Sequence, residues 1–133
     1  MTIAIDTNVL VRLFIVDTPD QTARARHEIA QFDEVILSLP VLCELVWVLG
    51  HHYGVDRDDI AFFIEGLRDE PLFSMDRACV QTGLSLLRAG ADFADGVIAE
   101  QGRRLGAEAF VSFDRRAINR LNKLGLNARA PAD

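Results

Sequence analysis

The sequence predicts an α/β sandwich in which a short, mostly parallel sheet is covered by helices on both faces. Short apolar runs of strand type alternate with longer segments of helical periodicity along the whole chain. With 133 residues, 50% of them hydrophobic, the chain can bury one core but is too short for two ordinary domains. No internal repeat, low-complexity segment or linker is visible. We therefore expect residues 1–133 to form a single domain.

The order of the elements follows from periodicity and from the residues that begin and end helices. The predicted strands cover residues 2–6, 34–37, 72–75 and 109–113. The predicted helices cover residues 8–16, 18–31, 39–53, 56–69, 76–89, 92–105 and 115–124. The first strand contains the apolar run Ile3-Ala4-Ile5 before Asp6 and is expected to be fully buried. The helix after Ser38 has Pro40 in its first turn, and Gly54 is suited to the left-handed conformation that follows a helix.

The apolar stretch from Val35 to Val55 is long enough to raise the question of a membrane span. It contains Pro40, Gly50 and a charged Glu44, and a mid-span acid costs roughly 2.5–3.5 kcal/mol on insertion scales. A strand followed by a helix is therefore expected instead. The N-terminus lacks the basic segment and uninterrupted apolar run of a cleavable signal, so we expect a cytoplasmic protein.

The two cysteines, Cys43 and Cys79, are isolated in the sequence and form no metal-binding or redox motif. Buried thiols without a disulfide are the expected state of both.

The charge balance argues at first against a nucleic-acid binder, because 20 acids against 14 bases give a net charge of −6. The excess of acids is distributed unevenly along the chain. Residues 1–102 carry 17 acids and 7 bases, whereas residues 103–133 carry 3 acids and 7 bases. These counts exclude binding of RNA by bulk positive charge but leave open a site in which acids serve another purpose.

Glu44 fits its surroundings least well of all the acids. The run from Leu39 to Leu49 is apolar nearly all the way round, which predicts a helix buried on most sides. A carboxylate there must be protonated, paired or bound to a metal ion, since an unpaired buried charge is costly. A buried ion pair, or a carboxylate that reaches the rim of the fold, is the alternative.

Asp6 and Asp114 each follow directly on a predicted strand. The carboxyl ends of parallel strands lie at one edge of a sheet, which is where binding sites of such folds are found. For either residue alone, the alternative is that it only caps the following helix, as aspartate commonly does.

Asp92 and Asp95 lie at the start of another predicted helix. Spacings of three and four place Asp95 on a stripe with Ile98, Ala99 and Gly102, which we expect to face inward, with Asp92 one turn earlier. Two acids in a first turn can also simply complement the helix dipole. That alternative explains Asp92 better than Asp95, because Asp95 shares its stripe with apolar residues.

Carboxylates that gather at one rim repel one another unless cations neutralise them. Oxygen ligands without a nearby histidine or cysteine suit a hard ion, Mg²⁺ or Mn²⁺. One or two such ions could activate water, orient it for in-line attack and stabilise the leaving oxygen of a phosphodiester. The acids therefore suggest phosphodiester hydrolysis without a side-chain nucleophile.

Four motifs occur in order along the chain. They are Ile5-Asp6-Thr7-Asn8-Val9-Leu10, Leu42-Cys43-Glu44-Leu45, Asp92-Phe93-Ala94-Asp95-Gly96-Val97-Ile98-Ala99 and Ser112-Phe113-Asp114-Arg115. Together they resemble a PIN-domain ribonuclease, specifically a VapC-type toxin of bacterial toxin–antitoxin pairs. The resemblance implies a three-layer α/β/α fold and Mg²⁺- or Mn²⁺-dependent endoribonuclease activity on single-stranded or structured RNA. It also implies a cognate VapB-like antitoxin that blocks the site.

The resemblance also assigns roles to particular residues. The acids that it implies to be catalytic and metal-binding are Asp6, Glu44, Asp95 and Asp114. Asp92 is an accessory metal-binding acid, and Asn8 and Ser112 match polar positions that hold the acids or a bound water. Gly96 stands where alanine is more usual and Ser112 where threonine is frequent, and neither departure affects the chemistry.

The basic C-terminal segment offers candidate phosphate ligands. Arg116, Arg120 and Lys123 share one helical stripe, and Arg115 directly follows Asp114. A solvated helix face without a partner is the alternative for the stripe. The three histidines show no ligand spacing, and His51 and His52 are expected to complement the end of their helix.

The sequence is also compatible with functions other than a ribonuclease, and it suggests protein partners. A catalytically silent PIN-like domain that binds RNA or protein is the main alternative. A receiver-like phosphoacceptor is disfavoured because the only lysine, Lys123, lies nine residues beyond Asp114 in a predicted helix. A homodimer is also expected, and Trp47, Phe62 and Phe63 are candidates for its face or for an antitoxin groove. For these aromatic residues, packing in the core is the favoured expectation.

Overall fold

The computed structural model describes residues 1–133, which divide into two compact units, Met1–Met75 and Asp76–Asp133. The first unit contains a parallel sheet in the order β1-β2-β3, with Ile3 opposite Val35 and Val35 opposite Phe73. Its strands are β1 (Thr2–Ala4), β2 (Glu34–Ile36) and β3 (Phe73–Ser74). Its helices are α1 (Thr7–Phe14), α2 (Pro19–Ile29), α3 (Leu39–Trp47) and α4 (Arg57–Asp69), with a π-helical segment (Val48–His52) after α3.

The second unit contains three helices and a pair of short parallel strands. Its elements in chain order are α5 (Arg77–Arg88), α6 (Phe93–Arg104), β4 (Phe110–Val111), α7 (Arg115–Lys123) and β5 (Ala128–Arg129). Phe110 lies opposite Ala128 in the strand pair. All strand pairing in the chain is parallel, and helices separate the strands along the sequence. The predicted α/β class with short parallel sheets is therefore confirmed.

One strand expectation is wrong, and one short strand was not predicted. In β1, Thr2 and Ala4 are exposed and Ile3 is only half-buried, so the first strand is not fully buried. It is the edge strand of its sheet and is paired on one side only. No periodic signal predicts β5, because two residues are too few to show one, although Ala128 within it is buried.

Each unit has its own apolar interior. In the first unit, the most deeply buried helical side chains lie on α1, α3 and α4; among them are Leu10, Leu42, Leu45, Ile60 and Ile64. In the second unit, a cluster joins α5, α6, α7 and β5. Its buried members are Leu86, Ala91, Ala99, Ala117, Leu121 and Ala128.

Arg12 holds the N-terminal helices of the first unit together. Its guanidinium donates to the Asp17 carboxylate, to Thr18 Oγ1 at 3.2 Å and to the Tyr53 hydroxyl at 2.8 Å. Its carbonyl accepts from Thr22 Oγ1 at 2.8 Å. Because these partners lie before α2, within α2 and just after the π-helical segment, the network fixes the position of α1.

The predicted helix from 39 to 53 forms, but its last turn widens into the π-helical segment, in which the Tyr53 amide donates to the Val48 carbonyl at 3.3 Å. Gly54 follows with φ at +65°, as predicted for the residue that ends this helix. Cys79 is buried as expected, whereas the expectation of burial is wrong for Cys43, which is half-buried; both are free thiols. No helix has both the length and the apolar character that crossing a bilayer requires.

Candidate functional site

Asp6 lies between β1 and α1 and is exposed. Its Oδ1 accepts the amide of Val9 at 3.0 Å, which is the hydrogen bond of a helix N-cap. Asn8 is exposed in the first turn of α1. Asp6 and Asn8 both line a groove of about 710 Å³ in the first unit, together with Arg24 on α2. Capping uses one carboxylate oxygen of Asp6, and the residue stays accessible to a ligand.

Glu44 is exposed, so of the alternatives left open by the sequence, the carboxylate that reaches the surface is the one that the structure supports. Leu42 and Leu45 of α3 are buried in the core. The exposed stripe of the helix contains Pro40, Glu44 and Trp47. Two members of this stripe are themselves apolar, and for that reason the composition of the run suggested burial all round. Glu44 is thus an accessible carboxylate.

The aromatic residues of the first unit are also more exposed than expected. Trp47 is 60% exposed and Phe62 is 76% exposed, so packing in the core is the wrong expectation for both. Phe63 is half-buried, with its ring edge-on to that of Phe14 at a centroid distance of 4.8 Å. Trp47 and Phe62 are therefore available to partners.

Three acids of the second unit lie at the starts of two helices that pack together. Asp92 caps α6, and its Oδ1 accepts from the amide of Ala94 at 3.1 Å. Asp114 caps α7, and its Oδ1 accepts from the amides of Arg116 and Ala117 at 2.9 and 3.2 Å. Ser112 Oγ accepts from the amide of Asp114 at 3.0 Å and so fixes the backbone there.

Asp95 is the half-buried member of this acid group. Burial raises the pKa of its carboxyl, and the nearby charges of Asp92 and Asp114 raise it further. No basic side chain offsets these effects. A cation would relieve the repulsion, so Asp92, Asp95 and Asp114 form an electrostatically strained group of carboxylates.

The buried face of α6 differs from the predicted stripe. Of the predicted stripe, Ala99 is buried but Ile98 is 54% exposed. The other buried residues of α6 are Phe93, Gly96, Val97 and Glu100. A Cβ atom at Gly96 would lie 2.7 Å from the Cα of Gly83, so the two glycines let α5 and α6 approach closely. This contact sets the face that α6 buries and leaves Asp95 at its border.

Glu100 is a buried acid that the motifs do not single out. Its carboxylate accepts two hydrogen bonds from Arg103, from Nη2 at 2.6 Å and from Nε at 3.2 Å. These bonds lower the pKa of Glu100. The spacing of three along a helix is the sequence signal for this pair. A paired and buried carboxylate stabilises the fold and is not a free metal ligand.

We predict that Glu100→Gln lowers the unfolding free energy by about 1 kcal/mol at neutral pH, since Arg103 is partly solvated. A lowered pKa in the folded state means that the stabilisation is present above pH 4.5, the ordinary value, and is lost as pH falls through the folded pKa. Urea denaturation of both proteins across this range measures the difference. Glu108→Gln, at an exposed acid, is the control, and an equal effect there would contradict the prediction.

The arginines of α7 differ in their surroundings. Arg116 Nη1 is 3.4 Å from the carbonyl of Gly90, and Arg120 Nε donates to Ser85 Oγ at 3.1 Å. Both therefore connect α7 to the end of α5 and the turn after it. Arg115 is exposed, and so is Lys123. Of the three candidate RNA-binding arginines, Arg115 and Arg116 are exposed and Arg120 is half-buried.

No group of three or more His, Cys, Asp or Glu side chains forms a ready-made metal site within either unit. Residues 3–124 match the family model described as the PIN domain. The match includes every acid discussed above, and it supports the three-layer α/β/α fold expected from the motifs. No curated protein matches the sequence.

Proposed function

Because this chain belongs to the PIN domain family, we propose that it is a Mg²⁺- or Mn²⁺-dependent endoribonuclease and the toxin of a toxin–antitoxin pair. The single observation that best supports the proposal is the state of Asp95. It is a half-buried carboxylate whose pKa is raised by burial and by two further acids, with no base to balance them. Surroundings that make the negative charge of a carboxylate unfavourable are typical of a functional site, and they do not contribute to the stability of the fold.

The donors fit a hard divalent ion. Asp92 and Asp114 accept their capping hydrogen bonds through Oδ1, and Asp95 caps no helix. All are carboxylate oxygens, the ligands that Mg²⁺ and Mn²⁺ prefer. We propose metal binding and catalysis for a set of four acids, with Asp92 accessory. The four are Asp6, Glu44, Asp95 and Asp114.

The chain's own residues would position these acids. Capping hydrogen bonds fix the Asp6 and Asp114 carboxylates at the starts of α1 and α7, and Ser112 fixes the backbone of Asp114. Asn8, exposed in the first turn of α1, would hydrogen-bond to an acid or to the attacking water. A bound divalent ion would supply activation of that water and stabilisation of the leaving oxygen. Arg115 would hold a phosphate of the RNA.

The proposal includes two protein partners. A cognate VapB-like antitoxin and a second copy of the chain would both use apolar surface, and the exposure of Phe62 supports such a contact. The alternative function, a catalytically silent domain that binds RNA or protein, accounts for the fold equally well. It does not account for the unfavourable charge on Asp95.

The test is cleavage of a single-stranded RNA by the purified chain. Cleavage should stop when EDTA removes divalent ions and return with excess Mn²⁺. Asp6→Asn and Asp114→Asn should both abolish it, and asparagine caps a helix as well as aspartate does, so the helices should persist. Asp76→Asn is the matched control, since Asp76 caps α5 in the same way and has no proposed role in the site.

The outcomes separate the two functions. If Asp6→Asn and Asp114→Asn cleave like the wild type and the Asp76→Asn control, the proposed nuclease site is wrong. If calorimetry detects no Mn²⁺ binding that Asp114→Asn removes, the silent binding domain is the better description. Expression of the wild type should also arrest growth, and expression of Asp6→Asn should not, if the chain is a toxin.

A further inference from the structure

Trp47 is the only tryptophan in the chain, and it is 60% exposed. A tryptophan side chain normally buries most of its large surface. Trp47 ends α3 and is followed at once by the π-helical segment, a rare feature that often accompanies functional sites. The surface of this ring is therefore accessible to a ligand.

A second ring already stacks on the indole. The rings of Trp47 and His51 are nearly parallel, with an interplanar angle of 16° and a centroid distance of 5.0 Å. His51 Nδ1 is 3.2 Å from the carbonyl oxygen of Trp47, which helps to hold the imidazole in place. With His51 on one side and most of the residue still exposed, the remaining indole surface faces solvent. The pair forms an aromatic platform.

The platform lies on the same helix face as Glu44. Four exposed residues follow one another at helical spacings of four, three and four: Pro40, Glu44, Trp47 and His51. Three residues correspond to a rise of about 4.5 Å along a helix, so Trp47 is less than one turn from Glu44. A nucleotide chain that reaches Glu44 would meet this ring.

We propose that the platform of Trp47 and His51 stacks a nucleobase of single-stranded RNA next to Glu44. This inference depends on the proposed function, because it places the substrate of that same site. Aromatic side chains bind bases of any sequence through their faces, and this is how many proteins hold single strands. The surroundings favour a base over a protein partner, because Glu44 and His51, which share the helix face of Trp47, are exposed and polar.

The only tryptophan provides a direct signal for the test. Its emission is followed as a short single-stranded RNA is added to the wild type in EDTA, which prevents cleavage. Stacking should quench the emission. A strand of equal length with the same backbone but no bases should leave the emission unchanged, although it carries the same phosphates.

Variants give an independent measurement, using a labelled RNA and fluorescence anisotropy. Trp47→Ala should weaken binding about tenfold, and Trp47→Phe, which keeps a ring, should weaken it by less than about threefold. His51→Ala should weaken binding and reduce the quenching. Phe62→Ala removes an even more exposed ring from another helix, α4, and should bind RNA like the wild type. In cleavage assays Trp47→Ala should raise KM with little change in kcat, because a stacked base is bound equally before and during reaction.

The inference is overturned if the base-free strand quenches equally, or if Trp47→Ala binds RNA like the wild type. It is also overturned if the emission changes with protein concentration alone and not with RNA, since Trp47 would then contact a second copy. Failure of the proposed function would give a different combination of quenching and cleavage results. An RNA that quenches Trp47 but is never cleaved with Mn²⁺ refutes the nuclease and leaves the base platform. Cleavage without quenching refutes the platform alone.

Discussion

Asp95→Asn is expected to reduce RNA cleavage by about two orders of magnitude or more, while raising the melting temperature of the metal-free protein. A metal ligand contributes several kcal/mol to the transition state, and each 1.4 kcal/mol corresponds to about a factor of ten in rate. The stability of the metal-free protein should instead increase. Burial and the charges of Asp92 and Asp114 make the ionised Asp95 unfavourable in the folded state, and asparagine removes that charge.

A lower cleavage rate together with a higher melting temperature distinguishes a functional residue from a structural one. Cleavage is measured with excess Mn²⁺, and the melting temperature is measured in EDTA. Asp20→Asn is the control, because Asp20 is also an acid in a first helical turn but is exposed on α2. It should cleave normally and melt no higher than the wild type. A less stable Asp95→Asn protein, or one that cleaves normally, would show that Asp95 is not part of a metal site.

Gly96→Ala is expected to destabilise the protein by about 1–3 kcal/mol, which corresponds to a fall in melting temperature of roughly 5–10 °C at the upper end. The added Cβ would lie 2.7 Å from the Cα of Gly83 and from the carbonyl oxygen of Thr82, and 2.9 Å from the Gly83 nitrogen. These are backbone atoms of α5, so α5 and α6 must move apart to remove the steric clash. The gain in helix propensity from alanine, about 1 kcal/mol, offsets only part of this.

Gly66→Ala is the matched control for this substitution. Gly66 lies within α4, and a Cβ atom there would meet nothing within 4 Å. It should therefore gain stability by about 0.5–1 kcal/mol from helix propensity alone. Thermal denaturation compares the two variants. Equal effects would mean that α5 and α6 are not held at the close distance that the glycines permit. Because Asp95 precedes Gly96, a cleavage defect in Gly96→Ala is also expected.

Several features of the site were predictable because short-range interactions determine them. An aspartate directly after a strand or before a helix has backbone amides within reach, and Asp6, Asp92 and Asp114 all cap as their positions suggest. The alternation of strands and helices likewise predicted the α/β class. Capping and metal binding do not exclude each other, so confirmed caps leave the proposed role of these acids open.

Other features were not predictable, because they depend on which faces of the helices pack together. An apolar run reveals that α3 is largely buried but not that the face with Glu44 and Trp47 is exposed. Likewise the spacing from Asp95 to Ile98 suggested an inward stripe, whereas the close contact at Gly96 turns Ile98 to solvent. Glu100 was missed because an acid within a helix resembles a solvated one until its burial is known.

The sequence by itself determined the order of the elements, the capping residues and the family, since all three depend on residues that are close along the chain or on motifs in a particular order. The tertiary structure alone decided that Asp95 lies near Asp114, which is nineteen residues further on, and that Trp47 remains exposed beside Glu44. The physical reason is that helix packing selects one face among several with similar composition. A contact between two glycines, Gly83 and Gly96, is enough to make that selection for α6.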